Sequence, residues 1–473
     1  MRRHWYWIPV MGVAGIALLG GLHWGLARAP RQAAANLRTL TQRLPAMAAP
    51  TRRERILVLA PHCDDETLAC GGLIAEAVKA GASVRVALAT NGDGFYRAAE
   101  RFLGEIEVPP KDYLTLATER QAESLAALAT LGLPAHEVTF LGYPDGGTAH
   151  MWLDHWAPDH PYTSRFTGDS RNPYPNSLHP GAPYAARSMI DDLKALIGAS
   201  KPTVIYCPHP NDDHPDHWAL YCYTLAALYQ SGMLDRAKLR LYLVHRGGRG
   251  DWPVPRGLHR SEPMVPPADL ANLGTRWQSL PLGSVIVNRK QRALAQYRSQ
   301  MLVMQGFMLS FARSSEMFGT LPLGRLPTVA PGTIKVDGDA ADWRGIPVAI
   351  RDPVQDLAKV DTTPAADLVA ACAAQDGRRL FLRLDLYRPV SANLAYAFHV
   401  NFLAPGKVEP PATYILRPGQ ETPGVEFRAV GRCIEMSVPL PAGQLVAGVM
   451  VGADSRLDYH LLDKTAWAML RVQ

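Results

Sequence analysis

From residue 55 to about 325 the chain alternates short apolar runs with helical patterns, and nothing else in it constrains the fold so strongly. The runs at 56–60, 83–89, 137–141, 203–207 and 239–244 are rich in Val, Ile and Leu. The first, Ile56 to Ala60, shows no polar alternation, as a parallel strand covered on both faces requires. Helical patterns lie between them at 67–80, 116–131, 185–197 and 218–230. Strand and helix in turn predict an α/β domain with a parallel, doubly wound sheet. A further helix with a broken end is expected over 289–318. The segments 151–184 and 246–282 are long, rich in turn-forming residues and without pattern, the kind of loop that usually serves a site.

Beyond a Leu-Pro-rich linker at 321–332 the period changes to short strands separated by turn residues. About seven such strands over 333–473 predict an antiparallel β-sandwich. At the other end, Arg2 and Arg3 precede a run from Trp5 to Leu26 without Asp, Glu, Lys or Arg. That matches the ~20 apolar residues a transmembrane helix needs. Residues 1–30 are therefore read as a single-pass signal anchor, in preference to a signal peptide cut after Ala29. Residues 31–54 read as a helical or loose stalk. Arg28, Arg31, Arg38 and Arg43 pull against export by the positive-inside rule. An extracytoplasmic, periplasmic catalytic part is nonetheless expected, because the C-terminal region is of an extracytoplasmic type. The 49 basic and 43 acidic residues are interspersed, which argues against a nucleic-acid partner. Six cysteines stand singly with no CxxC pair, so neither a cysteine zinc site nor a thioredoxin-type motif is supported.

The chemistry gathers in two loops. Pro61-His-Cys-Asp-Asp-Glu66 follows the first strand, and His209-Pro-Asn-Asp-Asp-His-Pro-Asp-His217 follows the fourth. Parallel strands bring both loops to one sheet edge, where ligands bind in open α/β sheets. That edge then carries His62, Asp64, Asp65, His209, Asp212, Asp213, His214, Asp216 and His217. An acidic turn alone would be an ordinary helix start. A His/Asp/His set with an open position is instead what catalytic zinc requires. Zinc activates water and polarises a carbonyl, and a nearby carboxylate takes the proton, which together amount to amide or ester hydrolysis.

The first loop resembles the P/A-H-P-D-D-E signature of the LmbE/PIG-L deacetylases, and Asp212-Asp-His-Pro-Asp-His217 is similar to their D-x-H-x-D-H. Arg120-Gln-Ala-Glu123 before Leu131-Gly-Leu133 resembles the family's R-x-x-E helix, and Leu141-Gly-Tyr-Pro-Asp-Gly146 its L-G-x-P-D-G turn. The resemblance covers about 55–320. It implies a Rossmann-like deacetylase domain in which His62, Asp65 and His217 bind Zn2+. Asp64 would be the general base. His214 would stabilise the oxyanion or protonate the leaving nitrogen, oriented by Asp216 or Asp212. Arg120 and Asp145 would contact the sugar. Glu66 and Glu123 are read as structural. Cys63 departs from the family's Pro or Ala and is read as a packed thiol. The C-terminal region resembles carbohydrate-binding family 9-like β-sandwiches through Val336-Asp-Gly-Asp-Ala-Ala-Asp-Trp343.

Other residues have two readings each. Asn91-Gly-Asp-Gly94 is a turn or part of the site wall. Lys290, Tyr297, Ser299 and Gln300 resemble a helix of this family branch and otherwise simply pack. Trp156, His160 and His179 line a sugar cleft or lie on the surface. The Asp-Gly-Asp-x-x-Asp turn holds calcium or only shapes the chain. The expected function is a membrane-anchored zinc N-deacetylase acting on an N-acetylglucosamine-type saccharide, a polysaccharide or envelope glycan. Rivals are a zinc amidase or esterase on another acylated metabolite, and a silent glycan-binding protein.

Overall fold

The computed structural model describes residues 44–104, 107–247, 252–356 and 364–472. The expected membrane anchor at 1–30 lies outside them. Among the described residues no helix is long and apolar enough to cross a membrane.

The α/β part is built on β1 (Arg55–Ala60), β2 (Ser83–Thr90), β3 (Val138–Tyr143), β4 (Val204–Pro208), β5 (Lys238–Tyr242), β6 (Arg276–Pro281) and β7 (Ser315–Thr320). Their order is β3-β2-β1-β4-β5-β7-β6. β1 to β5 run parallel, while β6 and β7 extend the edge antiparallel, so the sheet is mixed where a parallel one was expected. Strand β1 shows why its run is apolar throughout. Ile56, Val58 and Ala60 enter one core, and Leu57 and Leu59 the core on the opposite face.

Helices α1 (Asp65–Lys79), α3 (Pro110–Leu131), α7 (Ser284–Leu294) and α8 (Arg298–Leu309) share the first face, with the short α2 (Tyr96–Leu103) at its rim. Helices α4 (Thr148–Leu153), α5 (Ala186–Ser200) and α6 (Pro215–Gln230) cover the second. Helix α3 starts with proline at its first turn and ends on Gly132 at φ +97°, a conformation glycine adopts without steric cost. The single helix expected over 289–318 is corrected. It is two helices followed by β7, and Met304 is non-helical inside the second (φ −139°, ψ 39°). The expected stalk is corrected at its C-terminal end. Ser279 of β6 exchanges backbone hydrogen bonds with Pro45 and Met47 at 2.9 and 2.7 Å, and Met47 is buried in the core.

The C-terminal part packs two sheets. One orders β14 (Glu426–Val430), β15 (Cys433–Pro439), β11 (Arg379–Leu386), β10 (Leu368–Gln375) and β9 (Val348–Arg351). The other orders β13 (Lys407–Leu416), β12 (Ala395–Ala404), β16 (Gly448–Leu457), β18 (Ala468–Val472) and β8 (Gly324–Leu326), with β17 (His460–Lys464) on β16. Thus the expected linker carries a short strand, β8, paired parallel with β18. In the Asp-Gly-Asp-x-x-Asp turn the carboxylates of Asp337, Asp339 and Asp342 accept backbone N–H groups of the turn itself. Trp343 is buried beside it and donates to Glu435 at 2.7 Å.

The two parts share a core. Leu403, Val408, Met450, Trp467 and Met469 of the sandwich join α4, α5 and α6 in one apolar cluster. The Trp467 ring stacks on Trp218 at 6.0 Å, and Lys464 Nζ donates to the Asp212 carbonyl at 3.3 Å.

Candidate active site

The strand order reverses between β1 and β4, and there an open α/β sheet leaves a crevice beyond its strand ends. The β1 loop enters it with His62, Asp64 and the first residue of α1, Asp65. The β4 loop enters it with Asp212, His214 and the first turn of α6, Asp216 and His217. All except the half-buried His214 are buried, which is expensive for charges unless they pair or hold an ion.

Three expected ligands converge. His62 Nδ1 is 3.0 Å from Asp65 Oδ2, His217 Nε2 is 3.1 Å from the same oxygen, and the two nitrogens are 3.4 Å apart. A tetrahedral ion with bonds of about 2.0–2.2 Å sets neighbouring ligand atoms about 3.3–3.6 Å apart. The triangle therefore needs only slight widening to hold one. The far sides of both rings meet carboxylates: His62 Nε2 lies 3.2 Å from Asp216 and from Asp145, and His217 Nδ1 lies 3.1 Å from Asp212. Such outer carboxylates orient metal-binding imidazoles. Burial works against charge on His217, yet Asp212 and Asp65 push its pKa up to about 9. The cluster calls for positive charge, which a divalent cation supplies.

Asp64 is not part of the triangle. Its φ of 153° is rare for a residue with a side chain. Its backbone N–H donates to Glu66 Oε2 at 3.0 Å, and Arg120 Nη2 lies 3.2 Å from its carboxylate. Burial pushes that carboxyl up to about 8, against the pull of Arg120. Arg120 also donates to the carbonyls of Gly92 and Cys63, both at 3.0 Å. Gly92 sits at φ +70°, and a Cβ there would collide with the guanidinium. Arg120 thus lines the cavity while its Nη2 holds Asp64 and its Nη1 the Gly92 carbonyl. Asp145 lines it too, accepting from Gly94 N at 2.9 Å, and its own N–H donates to Asp93.

The expected orientation of His214 by an aspartate side chain is corrected. The Asp212 carboxylate accepts from His214 N, Val244 N and His245 N, and so fixes the loop and backs His217. The Asp216 carboxylate accepts from Gly146 N and from both donors of Thr148, and so backs His62. His214 is the N-cap of α6, its Nδ1 accepting from Asp216 N at 3.3 Å. In the neutral ring that leaves the proton on Nε2.

The cavity over these groups measures about 260 Å³. Besides the expected residues, and Gly94 as one of its two readings had it, the cavity is walled by Leu68, Phe95, His245, Gln300, Met304 and Phe307. His245 follows β5 on the same sheet edge, a position that could have drawn notice. Met304 and Phe307 could not, because the kink in α8 turns them inward. His209 belongs elsewhere: it stacks on Trp277 at 5.1 Å and meets Thr275 Oγ1 at 2.8 Å. Asp213 turns to Arg246. Glu66, Glu123 and Lys290 are buried and bonded to Tyr297, Ser299 and Glu316 respectively. Cys63 is buried. The sugar-cleft reading of Trp156, His160 and His179 is corrected. None lines the cavity; Trp156 packs on Trp152, and His179 pairs with Asp192.

Fold and donors together define a candidate metal-binding centre at a switch point. Residues 57–228 match the family described as PIG-L, GlcNAc-PI de-N-acetylase, and this part of the chain is a PIG-L (LmbE-like) deacetylase domain. The chain is 31% identical over 197 residues to a 1D-myo-inositol 2-acetamido-2-deoxy-alpha-D-glucopyranoside deacetylase of Actinosynnema mirum, covering 39% of this chain and 59% of that protein. A protein of the same description from Mycobacterium sp. (strain KMS) is 32% identical over 199 residues, covering 42% and 57%. The chain thus spans well under two thirds of the length of these relatives. Among solved structures, N,N'-diacetylchitobiose deacetylase from Pyrococcus horikoshii is 17% identical with a TM-score of 0.34, covering 56% of this chain and 82% of that one.

Proposed function

We propose that this protein is a zinc-dependent N-deacetylase that removes acetate from an N-acetylated amino sugar, an N-acetylglucosamine-type saccharide. The observation that carries the reading is the triangle of His62 Nδ1, Asp65 Oδ2 and His217 Nε2, whose His62 lines the cavity together with Asp64 and His214 while Asp65 and His217 lie buried behind it. The names of the relatives support an N-acetyl sugar as the substrate class. The donor set of two imidazoles and one carboxylate suits zinc.

Zinc held there would supply Lewis-acid activation of water and of the amide carbonyl. The remaining chemistry falls to side chains. Asp64, fixed by Arg120 and by its strained backbone, takes the proton of the attacking water and returns it to the departing amine. His214 presents Nε2–H to the developing oxyanion, since its Nδ1 is occupied by the Asp216 N–H. Asp145 and Gln300, on the wall, are placed to meet sugar hydroxyls.

The sandwich favours an oligomeric or envelope glycan over a free monosaccharide and a catalytic part outside the cytoplasm, and the sequence of residues 1–30 favours attachment to a membrane. The test is acetate release by the full-length protein, with and without zinc, from N-acetylglucosamine and its oligomers. Zinc-dependent release from oligomers is expected. Bound zinc with no acetate from any sugar would move the assignment to an amidase or esterase of another acylated metabolite.

A further inference from the structure

Away from the catalytic crevice, Asp352, Asp356 and Asp463 bring one carboxylate oxygen each within 4.8 Å of one another. Asp352 follows β9, Asp356 lies four residues on, and Asp463 belongs to β17. Among the described residues only Arg246 (held also by Asp213 and Asp269) forms an ion pair with the group, through Asp356 at 2.8 Å. Lys464, next in the chain, donates its Nζ to the Asp212 carbonyl at 3.3 Å, and its charge is felt by Asp352 and Asp356 without an ion pair to either. Asp463 accepts the backbone N–H of Leu368 at 2.7 Å and of Lys464 at 2.9 Å.

Asp352 is the telling member. It is 4% exposed, and neither of its carboxylate oxygens has a hydrogen-bond partner. Asp356 Oδ1 is likewise buried and unpartnered. Native chains do not leave such atoms unsatisfied without a reason, and an unplaced ion is a common one. The set contains no nitrogen or sulfur, which selects a hard cation. A calcium shell with bonds of about 2.3–2.6 Å spans about 4.6–5.2 Å, tolerates irregular geometry and completes itself with water. The catalytic triangle, with two imidazoles, asks for a different metal.

We propose that Asp352, Asp356 and Asp463 form a calcium site at the junction of the sandwich and the α/β part. Burial raises the pKa of Asp352 well above the ordinary value, a penalty on its charged form that a bound cation would offset. Bound calcium would tie β9 to β17 and hold Asp356 against Arg246. Arg246 follows His245 of the cavity wall, and Lys464 braces the loop of Asp212, so the ion would stiffen one side of the catalytic crevice without touching it.

The test uses full-length protein stripped by chelator, resaturated with zinc and then titrated with calcium or magnesium. One retained calcium per chain and a rise of a few degrees in Tm are expected, with a smaller rise for magnesium. Asp352→Asn and Asp356→Asn should each abolish the calcium-dependent rise and leave zinc content unchanged. If the wild type retains no calcium and its Tm does not respond, the proposal is overturned, and Asp352→Asn should then melt at or above the wild type. An equal or larger response to magnesium overturns calcium as the ion. None of these readouts depends on catalysis, so failure of the deacetylase reading would leave them intact.

Discussion

Asp64 and Asp65 are neighbours with separate tasks, and substitution should tell them apart. Asp64→Ala is expected to keep its zinc by elemental analysis while acetate release falls about 10²–10⁴-fold, the usual worth of a positioned base. Asp212→Asn should instead weaken zinc about 10–100-fold in a chelator competition, because it removes the carboxylate behind His217. His209 gives a pH effect independent of the metal. Burial lowers its pKa to about 3, so the folded ring stays neutral while the unfolded one titrates near its ordinary value. Between those values the unfolded chain binds the extra proton, so stability falls as pH drops, by up to about 1.4 kcal/mol per unit. His209→Gln should flatten that slope in denaturant titrations at pH 6 and pH 4. The types and spacing of the ligands were legible in the sequence because two loops at strand ends announce themselves. Which aspartate faces which histidine was not. Asp212 folds back onto the end of β5 and Asp216 reaches across to His62, and that depends on the N-cap geometry of α6 rather than on spacing.

Among elements, α1 and α7 are locked by a buried pair. Lys290 Nζ donates to Glu316 at 2.6 Å and to the Leu68 carbonyl at 2.7 Å, while Glu316 accepts the N–H groups of Gly72 and Leu73. Lys290→Met leaves that carboxylate buried without its cation and should cost about 3–5 kcal/mol in denaturant unfolding. The five parallel strands could be read from their apolar runs, most plainly β1 and β4, which are buried on both faces. Strand β7 could not: Ser315 to Gly319 are buried, yet the sequence Ser-Glu-Met-Phe-Gly has neither alternation nor β-branching to mark it. Its burial depends on Lys290, from another helix, neutralising Glu316, a tertiary fact. The break in α8 at Met304 was hidden for a similar reason, since no proline or glycine stands at that position.

At the scale of the molecule, the change of period after residue 320 announces a second architecture, but not that the two share a core. Removing 333–472 would strip Trp467 and its neighbours from α4 and α6, and Lys464 from the loop of Asp212. The truncated chain is therefore expected to aggregate or melt well below the full chain, and to lose hydrolysis of even the smallest substrate. A soluble truncation with full activity on monosaccharides would show the shared core to be dispensable. The stacking of Trp218 against Trp467 also has a meaning in time. A ribosome adding about 5–20 residues per second needs roughly 12–50 s to pass from one to the other. For that interval the segments carrying the catalytic groups already exist, while the ring that covers α6 does not. The protein would thus spend tens of seconds with an apolar flank uncovered, and Trp467 would act as the closing signature on a fold begun long before.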